Sequence, residues 1–402
     1  MTKQTRQFSR RTALKGAAAA SALLAAPAIV RAQGRAPVLA TLTPLTGAGG
    51  SYGPSMRGSA VAVVEAVNAA GGLFGQEVKL VSGDTQTNPE AAVRAARKLI
   101  DVDQAMAICG TWASACTTAV APLCWESKTM LACVSGADSI TKLPHQGFII
   151  RTQPVAKLQI TEVTKFILAD GAQKLAWIGP QTPFAQPSID IMTQVAGAAG
   201  KSVAGLIYEA DKTTYRSEVD KILRQKPDYI MLGGYTPDSI VVLRDLYRAG
   251  YEGIILGPAY AVNRKLLDAL PHEVTQGVRT YAPSPDVNSS AYKRVQAIHG
   301  TQDVDPYTTQ VYDHATLLLL AAAAAGKADG AAMRDAVRSI SQGDGAPVDN
   351  AVDGIKALSQ GKQINYAGAS GPCDFDAIGD ISSATFRFEQ VNKGQFELLK
   401  IV

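Results

Sequence analysis

Short apolar runs alternate with amphipathic stretches along most of this chain. Two series of runs have the length of strands: residues 37–43, 78–82, 105–109, 130–134 and 148–151, then 174–178, 202–207, 229–232, 253–256 and 277–281. The stretches between them, such as residues 57–70, 89–101 and 236–249, are typical of helices. Strands that alternate with helices favour parallel sheets covered on both faces.

The two series predict two similar lobes. Pro89 suits a first helical turn, and Gly250 suits the end of a helix. The roughly 370 residues that follow position 32 also exceed what one hydrophobic core usually serves. We expect an α/β protein with two doubly wound parallel-sheet lobes. Residues 36–155 and about 283–345 form the first, and residues 156–282 and about 346–402 form the second.

The first 32 residues have the pattern of a twin-arginine export leader. A basic start containing SRRTALK precedes an apolar run over residues 16–30 and a small-residue exit at Ala32. The run is shorter than the roughly 20 residues that cross a bilayer. We expect cleavage near Ala32 and a periplasmic protein; a buried Ala-rich helix is the alternative.

The positive net charge of the chain comes from this segment. Of the 39 basic residues, six precede position 33 together with no acidic residue, which leaves 33 against 35 and a net charge of −2. This balance gives no indication of a nucleic-acid or anionic-membrane partner.

Five cysteines leave at least one thiol without a disulfide partner in the chain. Cys109 and Cys133 end neighbouring apolar runs and are candidates for a bridge, although folding before export in a reducing compartment argues against it. The sequence contains no CxxC motif, so it gives no indication of a zinc or redox site.

The loops after the predicted strands are the candidate binding elements, because ligands of open parallel sheets bind beyond the carboxyl ends of the strands. Residues 46–53 nearly match GxGxxG, but Tyr52 replaces the third glycine, and Asp84 lies 37 positions after Gly47 instead of about 20. These two departures from the dinucleotide-binding motif exclude a dinucleotide site. The loop is either a plain connection or faces a small ligand.

Two further loops each allow two interpretations. Ser114 is the N-cap of the next helix, a carboxylate ligand at that helix's N-terminus, or both. Asp138 either caps the short helix after it or meets a ligand ammonium. Loops 181–185, 233–238 and 257–260 add aromatic residues after strands, which favours a cleft shared by both lobes.

The chain resembles the solute-binding proteins of branched-chain amino acid ABC transporters, which have the type I periplasmic-binding fold. The motifs behind the resemblance are PLTG with SYG (44–53), NAAGGLFG (68–75), DTQTNPEA (84–91), GGYTPD (233–238), LGP (256–258), YD (312–313) and YAGASGPCDFDAIGD (366–380). Their order and spacing over nearly the whole chain are specific to the family, though not to a ligand.

The resemblance implies three hinge crossings between the lobes and a small ligand clamped between them. It also implies that the partner is the permease of an ABC importer, that the protein is a monomer, and that it holds no cofactor or metal. The predicted ligand-binding residues are Tyr52, Trp112, Ala113, Ser114, Gly136, Ala137, Asp138, Phe184, Tyr235, Ala259 and Tyr260, with Tyr307 as a further aromatic.

One position departs from the family pattern. Leucine-type binders carry a Glu after the Gly-Pro of the 257–260 loop, whereas this chain has Ala259. A buried ammonium without a carboxylate is costly. Either Asp138 supplies the charge, or the ligand is an aromatic acid or amide without an α-amino group, which the flat indole of Trp112 would favour.

The sequence therefore predicts a binder of an amino acid or related small carboxylate and not an enzyme. Its four histidines lack metal spacing, no GxSxG elbow occurs, and His314 is typical of a core histidine. An extracytoplasmic sensor that uses the same cleft remains the alternative.

Overall fold

Strands and helices alternate through residues 36–402, the part of the chain that the computed structural model describes. The predicted leader over residues 1–32 lies outside this part.

The first five strands form one parallel sheet in the order β2-β1-β3-β4-β5. In chain order the elements are β1 (Val38–Thr43), α1 (Gly53–Ala69), β2 (Lys79–Asp84), α2 (Pro89–Arg97) with a π-helical turn (Lys98–Val102), β3 (Ala107–Gly110), α3 (Ser114–Glu126), β4 (Met130–Cys133) and β5 (Ile149–Arg151). β1, β3 and β4 are buried along their whole length, as strands covered by helices on both faces should be.

The next part of the chain builds most of a second sheet. It contains α4 (Ala156–Ala169), β6 (Lys174–Pro180), α5 (Ala185–Ala198), β7 (Ser202–Tyr208), α6 (Arg216–Leu223), β8 (Tyr229–Leu232), α7 (Thr236–Arg248), β9 (Ile254–Pro258), α8 (Arg264–Ala269), α9 (His272–Thr275) and β10 (Arg279–Pro283).

The C-terminal part serves both lobes. Its elements are α10 (Ser290–His299), α11 (Pro306–Ala325), α12 (Gly330–Ala336), β11 (Ala346–Val348), α13 (Ala351–Ser359), β12 (Ile364–Tyr366), β13 (Phe386–Asn392) and β14 (Gln395–Ile401). β13 and β14 complete the second sheet, whose order is β14-β13-β10-β9-β8-β6-β7. Neighbouring strands are parallel, except that β13 is antiparallel to both β10 and β14. The predicted α/β class with two parallel-sheet lobes is confirmed.

The lobe division differs from the predicted one after position 345. Ala351, Ile364, Tyr366 and Phe375 are buried in the same core as β1–β5, whereas only β13 and β14 join the second sheet. The prediction gave all of residues 346–402 to the second lobe, because β-rich composition does not reveal which sheet a strand joins. We call the β1–β5 sheet with α10–α13 the first lobe, and the seven-stranded sheet with α4–α9 the second lobe.

Three segments connect the lobes, as the fold family implies: residues 152–155, 284–289 and 382–385. The second and third are joined by hydrogen bonds from Ser284 N to Thr385 O (2.9 Å) and from Thr385 Oγ1 to Ser284 O (2.6 Å). The lobes therefore meet along a narrow hinge.

A buried ion pair lies beside this hinge. Arg151, at the end of β5, is fully buried, and its Nε donates to Asp380 Oδ1 at 2.8 Å. Its Nη1 donates to the carbonyl oxygens of Ser135 (3.0 Å) and Ala137 (2.6 Å). Arg151 thus ties the segment that leads into the third crossing to the loop after β4.

All five cysteines are buried and free. Cys109 and Cys133 do lie on adjacent strands, yet the register pairs Cys109 with Ala132, so the candidate bridge is absent.

Within residues 36–402, no single helix is long and apolar enough to cross a membrane; only the bent pair of α11 and α12 passes a test of length and composition.

Candidate functional site

A cavity lies between the lobes at the carboxyl ends of both sheets. Its volume is about 40 Å³, more than the roughly 10–15 Å³ that one water needs. It is lined by Trp112, Ser114, Val134, Gly136, Gln153, Gln159, Thr182, Phe184, Gly233, Tyr235, Tyr260 and Tyr307. We refer to it as the cleft cavity.

A strained turn carries the first-lobe residues of the cavity. Gly110, the last residue of β3, and Thr111 after it have φ values of 112° and 55°. A positive φ is unusual for a β-branched residue and tends to occur at functional sites. Here it redirects the chain so that Trp112 and Ser114 face the second lobe at the start of α3.

Ser114 presents hydrogen-bond donors to the cavity. It is the first residue of α3, and Ala113 is the N-cap without a side-chain bond, so the interpretation of Ser114 as an N-cap is wrong. The Ser114 hydroxyl oxygen accepts from Ala137 N at 3.2 Å, which leaves its proton free to donate. Within the described chain, the N–H groups of Ser114 and Ala115 have no acceptor. A helix N-terminus of this kind favours an anion.

Five aromatic rings from the two lobes meet at the cleft. The ring centroid of Trp112 lies 5.0 Å from that of Tyr235, 5.7 Å from that of Tyr307 and 6.0 Å from that of Tyr260. Tyr52 stands 5.2 Å from Tyr307 with its ring nearly perpendicular. Burial raises the pKa of the tyrosines, so they are neutral phenols at physiological pH.

Tyr52 and Ala259 join the lobes next to the cavity instead of lining it. Tyr52 Oη donates to Ala259 O at 2.8 Å and accepts from Asn263 Nδ2 at 2.7 Å. The structure is therefore a closed arrangement in which the two lobes touch across the cleft.

Asp138 does not reach the cavity. Its Oδ1 accepts from the backbone N–H of Lys157 at 3.1 Å and so caps the first turn of α4. It therefore does not line the cavity. The chain forms turns over residues 139–148 instead of the predicted short helix, so the predicted cap on that helix is wrong. Asp138 instead caps α4, the next helix along the chain, on the far side of β5. The contact with a ligand ammonium stays a prediction.

Two glutamines that sequence reasoning missed add polar groups to the lining, in addition to Thr182 of the predicted 181–185 loop. Gln153 lies on the first crossing and Gln159 in the first turn of α4, and both are buried. Gln159 Nε2 donates to Pro154 O. Neither glutamine belongs to a sequence motif. Only their position, where the first crossing passes the carboxyl ends of the strands, could have indicated them.

Gly136 shows why the loop after β4 needs a residue without a side chain. A Cβ atom at this position would lie 2.9 Å from both Gln159 Nε2 and the Phe184 ring. The glycine thus allows a second-lobe aromatic to approach the first lobe directly.

The structure brings together six of the eleven predicted site residues around the cavity: Trp112, Ser114, Gly136, Phe184, Tyr235 and Tyr260. Tyr307 joins them, while Ala113 and Ala137 support Ser114 through backbone groups.

No residue that lines the cavity within the described chain carries a charge. No group of three or more His, Cys, Asp or Glu side chains among residues 36–402 has the arrangement of a metal site. The cavity instead offers hydroxyl and N–H donors at one end and aromatic faces around it.

Known proteins share this architecture. The leucine binding protein LivK from Thermotoga maritima superposes with a TM-score of 0.78 at 20% identity, covering 91% of this chain and 98% of that one. A solute binding protein from R. palustris in complex with 4-hydroxybenzoate superposes with a TM-score of 0.75 at 17% identity, covering 92% and 97%.

Similarity extends to the sequence. The chemotactic signal transduction system substrate-binding protein BasB from Halobacterium salinarum is 28% identical over 358 residues, 86% of this chain and 84% of the relative. The family model described as periplasmic binding protein matches residues 38–365. The chain therefore belongs to the periplasmic binding protein family, with the type I fold of its leucine-binding members.

Proposed function

We propose that this protein is the extracytoplasmic solute-binding component of an ABC importer and that its ligand is a small aromatic carboxylate without an α-amino group. The observation that carries the proposal is the chemistry of the cleft cavity, which combines donors for an anion with aromatic walls and has no acidic side chain among its described lining residues.

The carboxylate of such a ligand would meet the N-terminus of α3. The Ser114 hydroxyl and the N–H groups of Ser114 and Ala115, which have no acceptor within residues 36–402, are all available to donate at this point. Hydrogen bonds to a charged partner are stronger than neutral ones, and the helix dipole adds to them.

The ring of the ligand would lie among Trp112, Phe184 and Tyr235. Aromatic pairs favour offset or edge-to-face contacts at centroid distances of about 4.5–7 Å, the range already found between the rings that surround the cavity. Because these rings fill much of the closed cleft, the ligand would enter when the lobes part and would favour their closure around it.

An α-ammonium group would have no ionic partner here. Ala259 stands where leucine-type binders carry Glu, its carbonyl oxygen already accepts from Tyr52 and Asn263, and Asp138 caps α4. An unpaired buried ammonium costs several kcal/mol in effective free energy, so amino acids should bind poorly.

The test is a thermal-shift screen of the purified protein with benzoate, 4-hydroxybenzoate, phenylalanine and leucine. A ligand that binds the native form raises the melting temperature by mass action. We expect both benzoates to raise it and both amino acids to have no effect. Stabilisation by leucine but by neither benzoate would contradict the proposed ligand class.

A sensory role is the second candidate, because the relative BasB is named for chemotactic signal transduction. Uptake of labelled benzoate by a strain that lacks the gene separates the two roles. Loss of uptake supports the importer, whereas intact uptake with lost chemotaxis towards benzoate supports the sensor.

A further inference from the structure

Two buried glutamines form a polar chain that leads away from the cleft cavity. Gln310 Nε2, on α11, donates to Gln153 Oε1 at 2.8 Å. Gln153 lines the cleft cavity and Gln310 does not. Only 4% of Gln153 and 1% of Gln310 is exposed, so both amides are shielded from bulk water, although Gln310 also lines a second cavity beside the hinge.

This hydrogen bond decides which end of the Gln153 amide is available to a ligand. The Gln153 oxygen is occupied by Gln310, while its Nε2 has no acceptor within residues 36–402 and is not among the fully enclosed partnerless atoms. The accessible space at this residue is the cleft cavity. Gln153 therefore offers N–H donors to the ligand.

The opposite arrangement is less favourable. If both amides turned over, Gln153 Nε2 would donate to Gln310 Oε1, and the Gln153 oxygen would face the cavity. Gln310 would then bury an NH₂ group without an acceptor, whereas in the observed arrangement it buries a carbonyl oxygen without a donor. Partnerless buried N–H groups are rarer than under-satisfied carbonyl oxygens, which indicates that they are the costlier of the two.

We infer that Gln310 is a positioning residue that acts through Gln153, fixing the Gln153 amide with its N–H groups towards the cavity and so making the site prefer a carboxylate to an ammonium or amide donor. The inference rests on the proposed function, since it deepens the account of the same cavity. It assigns ligand selectivity to a residue that touches no ligand.

The test compares benzoate, benzamide and benzylamine, which share one ring, by calorimetry. Gln310→Met keeps the side-chain volume and removes the donor, so Gln153 loses its fixed orientation. We expect benzoate affinity to fall about five- to ten-fold and benzamide affinity to change less than about two-fold. Gln153→Glu should reverse the order and favour benzylamine over benzoate.

A double variant separates positioning from general damage. If Gln310 acts through Gln153, the Gln153→Met, Gln310→Met protein should have the same benzoate affinity as Gln153→Met alone. Thr152→Val is the matched control, because Thr152 Oγ1 bonds His314 Nε2 one turn further along α11 (2.7 Å) and ties the same crossing without lining the cleft cavity. It should leave the benzoate-to-benzamide ratio unchanged.

Three results would overturn the inference: an unchanged ratio in Gln310→Met, additive losses in the double variant, or a ratio that shifts as much in Thr152→Val. Failure of the wild-type protein to bind any of the three probes would instead contradict the proposed function, and the inference with it.

Discussion

At the residue scale, Ser114 connects the fold to the anion that the site is expected to hold. Its hydroxyl accepts from Ala137 N, and Arg151 in turn holds the Ala137 carbonyl. Both backbone groups of Ala137 are thus held, and this fixes the position of the Ser114 hydroxyl before a ligand arrives. Preorganisation of this kind improves affinity.

Ser114→Ala should weaken benzoate binding by about 1–3 kcal/mol, because a hydroxyl that donates to a charged group is lost. Calorimetry measures the change. Thr118→Val is a suitable control, since Thr118 lies on the same helix and its buried hydroxyl has no hydrogen-bond partner among the described residues. Equal affinity in Ser114→Ala and wild type would exclude a contact between this hydroxyl and the ligand.

Particular residues show what could be predicted from the sequence. Trp112, Ser114, Phe184 and Tyr235 lie in loops after strands. The rule that ligands bind at the carboxyl ends of parallel strands pointed to these loops, and the family resemblance pointed to the residues within them. The Gln153–Gln310 pair was not predictable, because 157 positions separate its members and each looks like an ordinary core amide.

At the element scale, α11 holds two adjacent buried groups with opposite titration behaviour. Burial raises the pKa of Asp313 to about 6, although Tyr366 and Ser370 donate to its carboxylate. Burial lowers the pKa of His314 to about 3. The β12 segment and the first crossing both depend on this helix, so its stability should vary with pH.

The neutral form of His314 is the one that fits the fold, so its contribution to stability is complete above pH 6.5 and is lost as the pH falls towards 3. The loss is at most about 1.4 kcal/mol per pH unit. In His314→Gln, the decline of the unfolding free energy between pH 6.5 and 4 should be shallower, as measured by urea titrations.

Asp313→Asn should act in the opposite direction. The raised pKa of Asp313 means that its stabilising contribution is complete below pH 3.8 and is lost as the pH rises towards 6. Removing it should make the rise of stability with pH steeper over this range. Parallel curves for wild type and both variants would contradict these assignments.

At the scale of the whole molecule, direct contacts between the lobes at the cleft hold the closed form together. The Tyr52 hydroxyl bonds Ala259 and Asn263, and the Trp112 ring meets that of Tyr235. A hinge of three short segments leaves the lobes free to part when these contacts are weakened.

Tyr52→Phe keeps the ring and removes the hydroxyl between the lobes, so the open form should gain population. Affinity for every ligand should fall by a similar factor, about two- to ten-fold, because a typical hydrogen bond contributes about 0.5–1.5 kcal/mol. Small-angle scattering of the free protein should show a larger radius of gyration. Tyr281→Phe is the control, since the buried Tyr281 hydroxyl has no hydrogen-bond partner within residues 36–402. A ligand-selective loss in Tyr52→Phe would argue for direct ligand contact.

The Arg151–Asp380 pair has a consequence for synthesis of the chain. Arg151 is fully buried near the middle of the sequence, and its counter-charge lies 229 positions later. A ribosome must release almost the entire polypeptide before that guanidinium is neutralised, and a buried cation without its carboxylate is strongly destabilising. The first lobe should therefore not complete its folding during synthesis before Asp380 is available. Chains that terminate before position 380 should be degraded by proteases and should not bind the ligand.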